Sequence, residues 1–172
     1  LPIYAQRSGL WHTAVDIGVK VFKGFVLGHL GGAAIRSALD SQGLFVHMGA
    51  AVDEIAPGRI IMSLTKSPEL LQQYGFFHGG AIAFLIDNAT TAAAGTLLDI
   101  ETQACLTAEY KLNMISPATG DRLSCTASVI KPGKRLTVVD AKVHSHSGTD
   151  AKLVAVALAT IATIERKGGL RD

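Results

Sequence analysis

The hydrophobic rhythm of the chain changes several times, and each change marks an element. Val15, Val19, Phe22 and Val26 recur at spacings of three and four, the period of one helix face. Gly31-Gly32 is predicted to break that helix, and residues 33–39 to add a short helical turn. From 44 to 65 the pattern becomes extended, with a turn at Pro57-Gly58 and a strand through Ile60, Ile61, Met62 and Leu64. Residues 66–77 read as a loop with a short helical turn around Ser67-Pro68-Glu69. Residues 81–98, AIAFLIDNATTAAAGTLL, lack proline and are apolar nearly all round. A helix of that kind is buried, not half exposed.

Four further strands are predicted at 102–114, 121–130, 136–146 and 153–164. Turns divide them at Ser116-Pro117 to Gly120, at Pro132-Gly133 and at Ser147-Gly148. Short turns between long strands imply antiparallel hairpins. The last strand, LVAVALATIATI, is apolar on both faces in places and is expected to be central in its sheet. Two strands, one buried helix and four strands make an α+β architecture, a long central helix wrapped by an antiparallel sheet of about six strands. The predicted organisation is a helical extension over 1–42, one domain over 43–166 and a polar tail over 167–172.

Composition narrows the function. The chain has 172 residues, 48% hydrophobic and 17% charged, which suits one domain with a sizeable core. A net charge of +2 is no argument for nucleic acid, whose binders concentrate a basic face. Cys105 and Cys125 lie in apolar, strand-like stretches and read as reduced thiols of a cytoplasmic protein. No CxxC or HExxH spacing occurs, so no metal site is expected. The most apolar stretch, 15–35, is interrupted by Asp16, Lys20, Lys23 and His29, which favours an amphipathic helix over a membrane span. Residues 1–10 lack the basic-then-apolar order of a signal peptide.

Asp87 is the most informative residue. It falls in mid-helix between Ile86 and Asn88, where an unpaired carboxylate is costly. Either the helix exposes one narrow polar stripe with Asn88, Thr90 and Thr91, or the carboxylate is held to work as base or nucleophile. His78-Gly79-Gly80 begins the same helix. Its first N–H groups are free and favoured by the dipole, and they can hold a developing oxyanion. A glycine pair alone equally serves as a plain helix start. Asp87 follows His78 by nine residues, roughly 13 Å along a helix. If both act on one bond, the site takes its parts from two chains, and a two-fold dimer carries two sites.

The run from Gln72-Gln73-Tyr74-Gly75-Phe76-Phe77-His78-Gly79-Gly80-Ala81 to Leu85-Ile86-Asp87-Asn88-Ala89 resembles the hot-dog thioesterases of the phenylacetate-degradation and thioesterase-superfamily-member-2 type. Tyr110 to Pro117, Gly120-Asp121 and Lys131-Pro132-Gly133-Lys134-Arg135 follow in that family's order. The resemblance spans roughly residues 43–164. It implies a hot-dog fold and hydrolysis of an acyl-CoA thioester to free acid and coenzyme A, which is part of the substrate; no separate cofactor is implied. Asp87 would activate water or attack the carbonyl, and Gly79 N–H would polarise that carbonyl. His78 would orient the thioester or the loop, and Thr107 would help place the attacking water. The family commonly has Asn six residues before the histidine. Gln72 stands there, with the amide kept and a methylene added. Ile115, Ser116 and Pro117, with Lys131, Gly133, Lys134 and Arg135, would meet coenzyme A, its phosphates suiting the cations. Homodimers or dimers of dimers are implied.

Other readings stay in view. Hot-dog domains also serve as non-catalytic acyl-CoA sensors. The motif of a hot-dog dehydratase is not found. His144 and His146 alternate on one strand face, expected to be solvent-facing. Trp11, Phe22 and Phe25 are read as packing residues before pocket residues. No GxSxG elbow, P-loop or GxGxxG occurs.

Overall fold

A computed structural model describes residues 27–166. The helix face at Val15, Val19, Phe22 and Val26, the aromatics Trp11, Phe22 and Phe25, and the tail 167–172 lie outside the described residues.

Helix α1 (Leu27–Asp40) runs straight through Gly31-Gly32, contrary to the predicted break. Glycine costs a helix interior only about 1 kcal/mol against alanine, and α1 is seated on its neighbours. Arg36 Nη1 donates to the carbonyl of Val52 at 3.1 Å. The extended reading from residue 44 is also corrected, because Gly43–His47 forms a single-turn helix, α2. Leu44-Phe45-Val46 has strand propensity, but Phe45 is buried against Phe84 with ring centroids 6.4 Å apart. Gly49, at φ 63°, then turns the chain into the sheet as a left-handed helix end.

Strands β1 (Ala50–Ala56) and β2 (Arg59–Thr65) form a hairpin through Pro57-Gly58. A 3-10 turn at Pro68–Leu70 interrupts the following loop. The central helix α3 spans Gly79–Gly95, beginning two residues before the predicted start and ending three before the predicted end. Then come β3 (Gln103–Met114), β4 (Arg122–Lys131), β5 (Leu136–Ser147) and β6 (Asp150–Glu165).

The six strands make one antiparallel sheet in the order β1-β2-β4-β5-β6-β3. This corrects the expected hairpin at 116–120. β3 pairs with β6 at the far edge, so the segment after Met114 crosses the sheet end to reach β4. β6 is an interior strand, one in from that edge; β4 and β5 are the middle pair. The inner face presents alternate residues such as Leu123, Cys125, Ala127 and Val129 on β4, all buried. Against it lie Leu85, Ile86, Ala89 and Ala93 of α3, each without exposure. Small alanines let the helix approach the sheet closely, so this face of α3 carries the core.

Candidate active site

Asp87 lies on the opposite face of α3, with Phe84, Asn88 and Thr91 at helical spacing, all half-buried. A polar stripe therefore exists and faces a cavity, but without Thr90, which is fully buried and donates back to the Ile86 carbonyl. The cavity is about 410 Å³ and is bounded by α1, α3 and the start of β3. Thr107 Oγ1 donates to Asp87 Oδ1 at 2.7 Å. A hydroxyl has one proton, so Thr91 must donate to Thr107 Oγ1 across their 2.8 Å contact. The chain Thr91→Thr107→Asp87 fixes one carboxylate oxygen. Oδ2 has no partner among the described residues. The β3–β6 register slips between Thr107 and Glu109. Such a bulge bends a strand and re-aims side chains, here at the residue that meets Asp87.

His78 and the two glycines sit at the N-terminal end of α3. His78 is the N-cap, extended at φ −64° and ψ 141°, and its Nδ1 accepts from Gly80 N–H at 2.8 Å. With Nδ1 accepting, the ring's donor is Nε2–H, which is exposed. The Gly79 N–H has no hydrogen-bond partner among the described residues. A side chain at Gly79 would meet the Met114 methyl at 2.8 Å, so β3 closes over the helix start. His78 and Gly80 border a second cavity, of about 330 Å³, with Phe84, Leu44 and Glu69. Hydrogen bonds to its own backbone N–H and to Ser67 hold the Glu69 carboxyl below its ordinary range. Gln72 is half-buried in the loop before His78. Its Oε1 accepts from Tyr74 N–H at 2.7 Å, so the amide oxygen caps its own turn.

The fold thus brings Asp87 and Thr107 together, and His78 with Gly79, but keeps the pairs apart. No residue lines both cavities. From Gly79 to Asp87 the axial rise is roughly 12 Å. The two segments expected to meet coenzyme A are separated too. Exposed Ile115 and Pro117 flank half-buried Ser116 near the α3 N-terminus, where Phe77 N–H donates to Ala118 O. Exposed Lys131, Gly133, Lys134 and Arg135 lie at the other sheet end, where Val129 N–H donates to Gly58 O. The ten steps of β5 from Leu136 to His146 put these ends roughly 34 Å apart.

Both cysteines are free, with the Cys105 thiol pushed up to about 11 and Cys125 to about 12, in each case mainly by burial. Neither is a thiolate nucleophile at neutral pH. His144 and His146 do share the outer sheet face, half-buried, with ring centroids 6.5 Å apart. Burial, then the Arg122 charge, lowers the His146 pKa, and Ser124 shares a 2.7 Å hydrogen bond with its Nε2. No group of three His, Cys, Asp or Glu suited to a metal occurs among the described residues. Also among them, no helix is long and apolar enough to cross a membrane. Thr91 was read in the sequence only as part of a polar stripe, not as the partner of Thr107; its position four residues after Asp87 was the available signal. Met114 and Ile35 carried none.

A long helix laid on one six-stranded antiparallel sheet is the architecture of a hot-dog domain. The thioesterase superfamily profile matches residues 74–152. A thioesterase family protein from Silicibacter pomeroyi is 32% identical, with a TM-score of 0.77 over 79% of this chain and 99% of that one. The chain belongs to the thioesterase superfamily. Human acyl-coenzyme A thioesterase 13 is 36% identical over 83 residues, 47% of this chain and 57% of that protein. The E. coli PaaI protein from the phenylacetic acid degradation operon shares the fold, with a TM-score of 0.70 at 22% identity over 83% of this chain and 97% of its own.

Proposed function

We propose that the protein hydrolyses an acyl-CoA thioester to a free acid and coenzyme A, in sites shared between two copies of the chain. The hydrogen-bonded chain Thr91→Thr107→Asp87 carries this reading. It holds Asp87 Oδ1 and leaves Oδ2 to take a proton from water. The water oxygen bonds to the thioester carbon, and the carbonyl becomes an oxyanion. Gly79 N–H of the other copy donates to that oxyanion, aided by the positive end of α3. Collapse re-forms the carbonyl, breaks the C–S bond and releases the coenzyme A thiolate, which takes up the proton held by Asp87 and leaves as the thiol. Asp87 as the nucleophile itself is the variant of this scheme. His78 Nε2–H and the Gln72 amide orient the thioester from the glycine side. Only protein groups and water are called on, with no metal or redox cofactor.

Two copies are supported by the separation of the half-sites and by β3. This twelve-residue edge strand has no partner on its outer side among the described residues. Long open edges invite pairing with another strand. Antiparallel pairing of β3 with its copy sets residue 103 of one beside residue 114 of the other. That brings the Lys131–Arg135 hairpin of one copy toward Ile115, Ser116 and Pro117 of its partner, as one coenzyme A requires.

Release of free thiol from a panel of acyl-CoAs tests the reading. Asp87→Ala should lower kcat/KM by about a thousandfold on the best substrate, with the fold and oligomer retained. An unchanged kcat/KM would sink it. Thiol-free binding in the unsubstituted protein would instead favour the sensor reading.

A further inference from the structure

The far wall of the Asp87 cavity comes from α1, well ahead of the segment matched by the family profile. α1 supplies Ile35, Ala38 and Leu39 to the lining, whereas the family match starts at residue 74. This wall is anchored independently of the cavity. Arg36 holds the Val52 carbonyl, and Leu39 is only 4% exposed.

The cavity is polar at one end and apolar at the other. Asp87, Asn88, Thr91 and Thr107 form the polar end; Ile35, Ala92, Leu98 and Cys105 are among the apolar lining. The raised Cys105 pKa agrees, since a protonated thiol behaves as a small hydrophobe. Gly95 lies in the apolar lining, two turns and roughly 12 Å beyond Asp87 along α3. A Cβ there would stand 2.9 Å from Ile35 Cδ1 and 3.9 Å from Cys105 Sγ. α3 thus has no side chain at this depth, and Ile35 and Cys105 both border the space a Cβ would take. They bound the cavity at this depth. Its 410 Å³ holds on the order of a dozen water-sized groups at about 30 Å³ each.

We propose that this is the acyl pocket, that it takes an unbranched apolar acyl group of on the order of ten carbons, and that Ile35 and Cys105 set its length. The inference rests on the acyl-CoA reading of Asp87. Shortening Ile35 opens the space toward α1; enlarging Cys105 fills the pocket from β3.

The test is kcat/KM of the full chain on straight-chain acyl-CoAs from butanoyl to hexadecanoyl, by thiol release. Ile35→Ala should raise hexadecanoyl relative to octanoyl turnover by about tenfold or more, the usual scale of discrimination for a few methylenes. Cys105→Phe should move the preference about tenfold toward butanoyl. Unchanged chain-length profiles in both folded variants would overturn the pocket assignment and leave thioester hydrolysis intact. If Ile35→Ala does not fold, Cys105→Phe decides alone. No thiol release from any acyl-CoA by the unsubstituted protein would overturn the acyl-CoA reading, and this inference with it.

Discussion

At Gly79 a backbone N–H is separable from everything else the residue does. It is the first residue of α3, a position where proline is favoured because its N–H is not needed by the helix. His78, before it, already has the extended conformation that a following proline demands. A Cβ at this position meets only the flexible end of Met114. Gly79→Pro therefore deletes the proposed oxyanion donor and little more. We expect kcat to fall by about a hundredfold to a thousandfold, with the melting temperature close to that of the parent. Gly79→Ala displaces Met114 in the same way but keeps the N–H, and should retain far more activity. Equal losses in the two variants would assign the effect to packing. At this scale Asp87 was legible in the sequence as a carboxylate misplaced on an apolar helix. Its partner Thr107, twenty residues later on another element, was reached only through the family resemblance, because a hydrogen bond between elements leaves no periodic trace. Gln72 was legible only by position, and its amide oxygen is committed to its own loop.

Among the elements, punctuation proved more readable than packing. Pro57-Gly58, Pro132-Gly133 and Ser147-Gly148 each separate strands that pair with one another. The run 116–120 carries the same residue types, yet it joins strands on different sides of the sheet, because turn chemistry reports a change of direction and not a partner. Gly31-Gly32 likewise carries a cost to helix formation that the seat of α1 on β1 offsets. At Gly120 the requirement is steric. Its N–H donates to buried Ser145 Oγ at 2.9 Å, and a Cβ would stand 2.1 Å from the carbonyl oxygen of His146. That neighbour is backbone and cannot rotate away. Gly120→Ala should therefore cost at least about 2 kcal/mol, read as a lower urea midpoint at unchanged m-value. Because this segment leads from β3 past the α3 N-terminus, the same variant should loosen the His78 end before the Asp87 end. Amide exchange would locate the difference.

For the whole molecule the decisive fact is that one chain keeps Asp87 apart from His78 and Gly79. Asp87 with Thr107 opens into one cavity and His78 with Gly80 borders another. The spacing was readable in the sequence as helix rise; the separate cavities, with α1 walling one of them, were not, because they depend on how distant segments pack. If each working site joins Asp87 of one copy to Gly79 of the other, two inactive variants can repair one another. In a mixed dimer, an Asp87→Ala chain offers an intact glycine end to the intact Asp87 of a Gly79→Pro chain. That pairing makes one whole site, and the opposite pairing makes one doubly damaged site. Random reassociation yields half mixed dimers by symmetry, so activity should recover to about a quarter of the parent value. Denaturing and refolding the variants together supplies the exchange, and refolding each alone is the control. Sites built within a single chain predict no recovery at all, since every chain in the mixture carries a lesion.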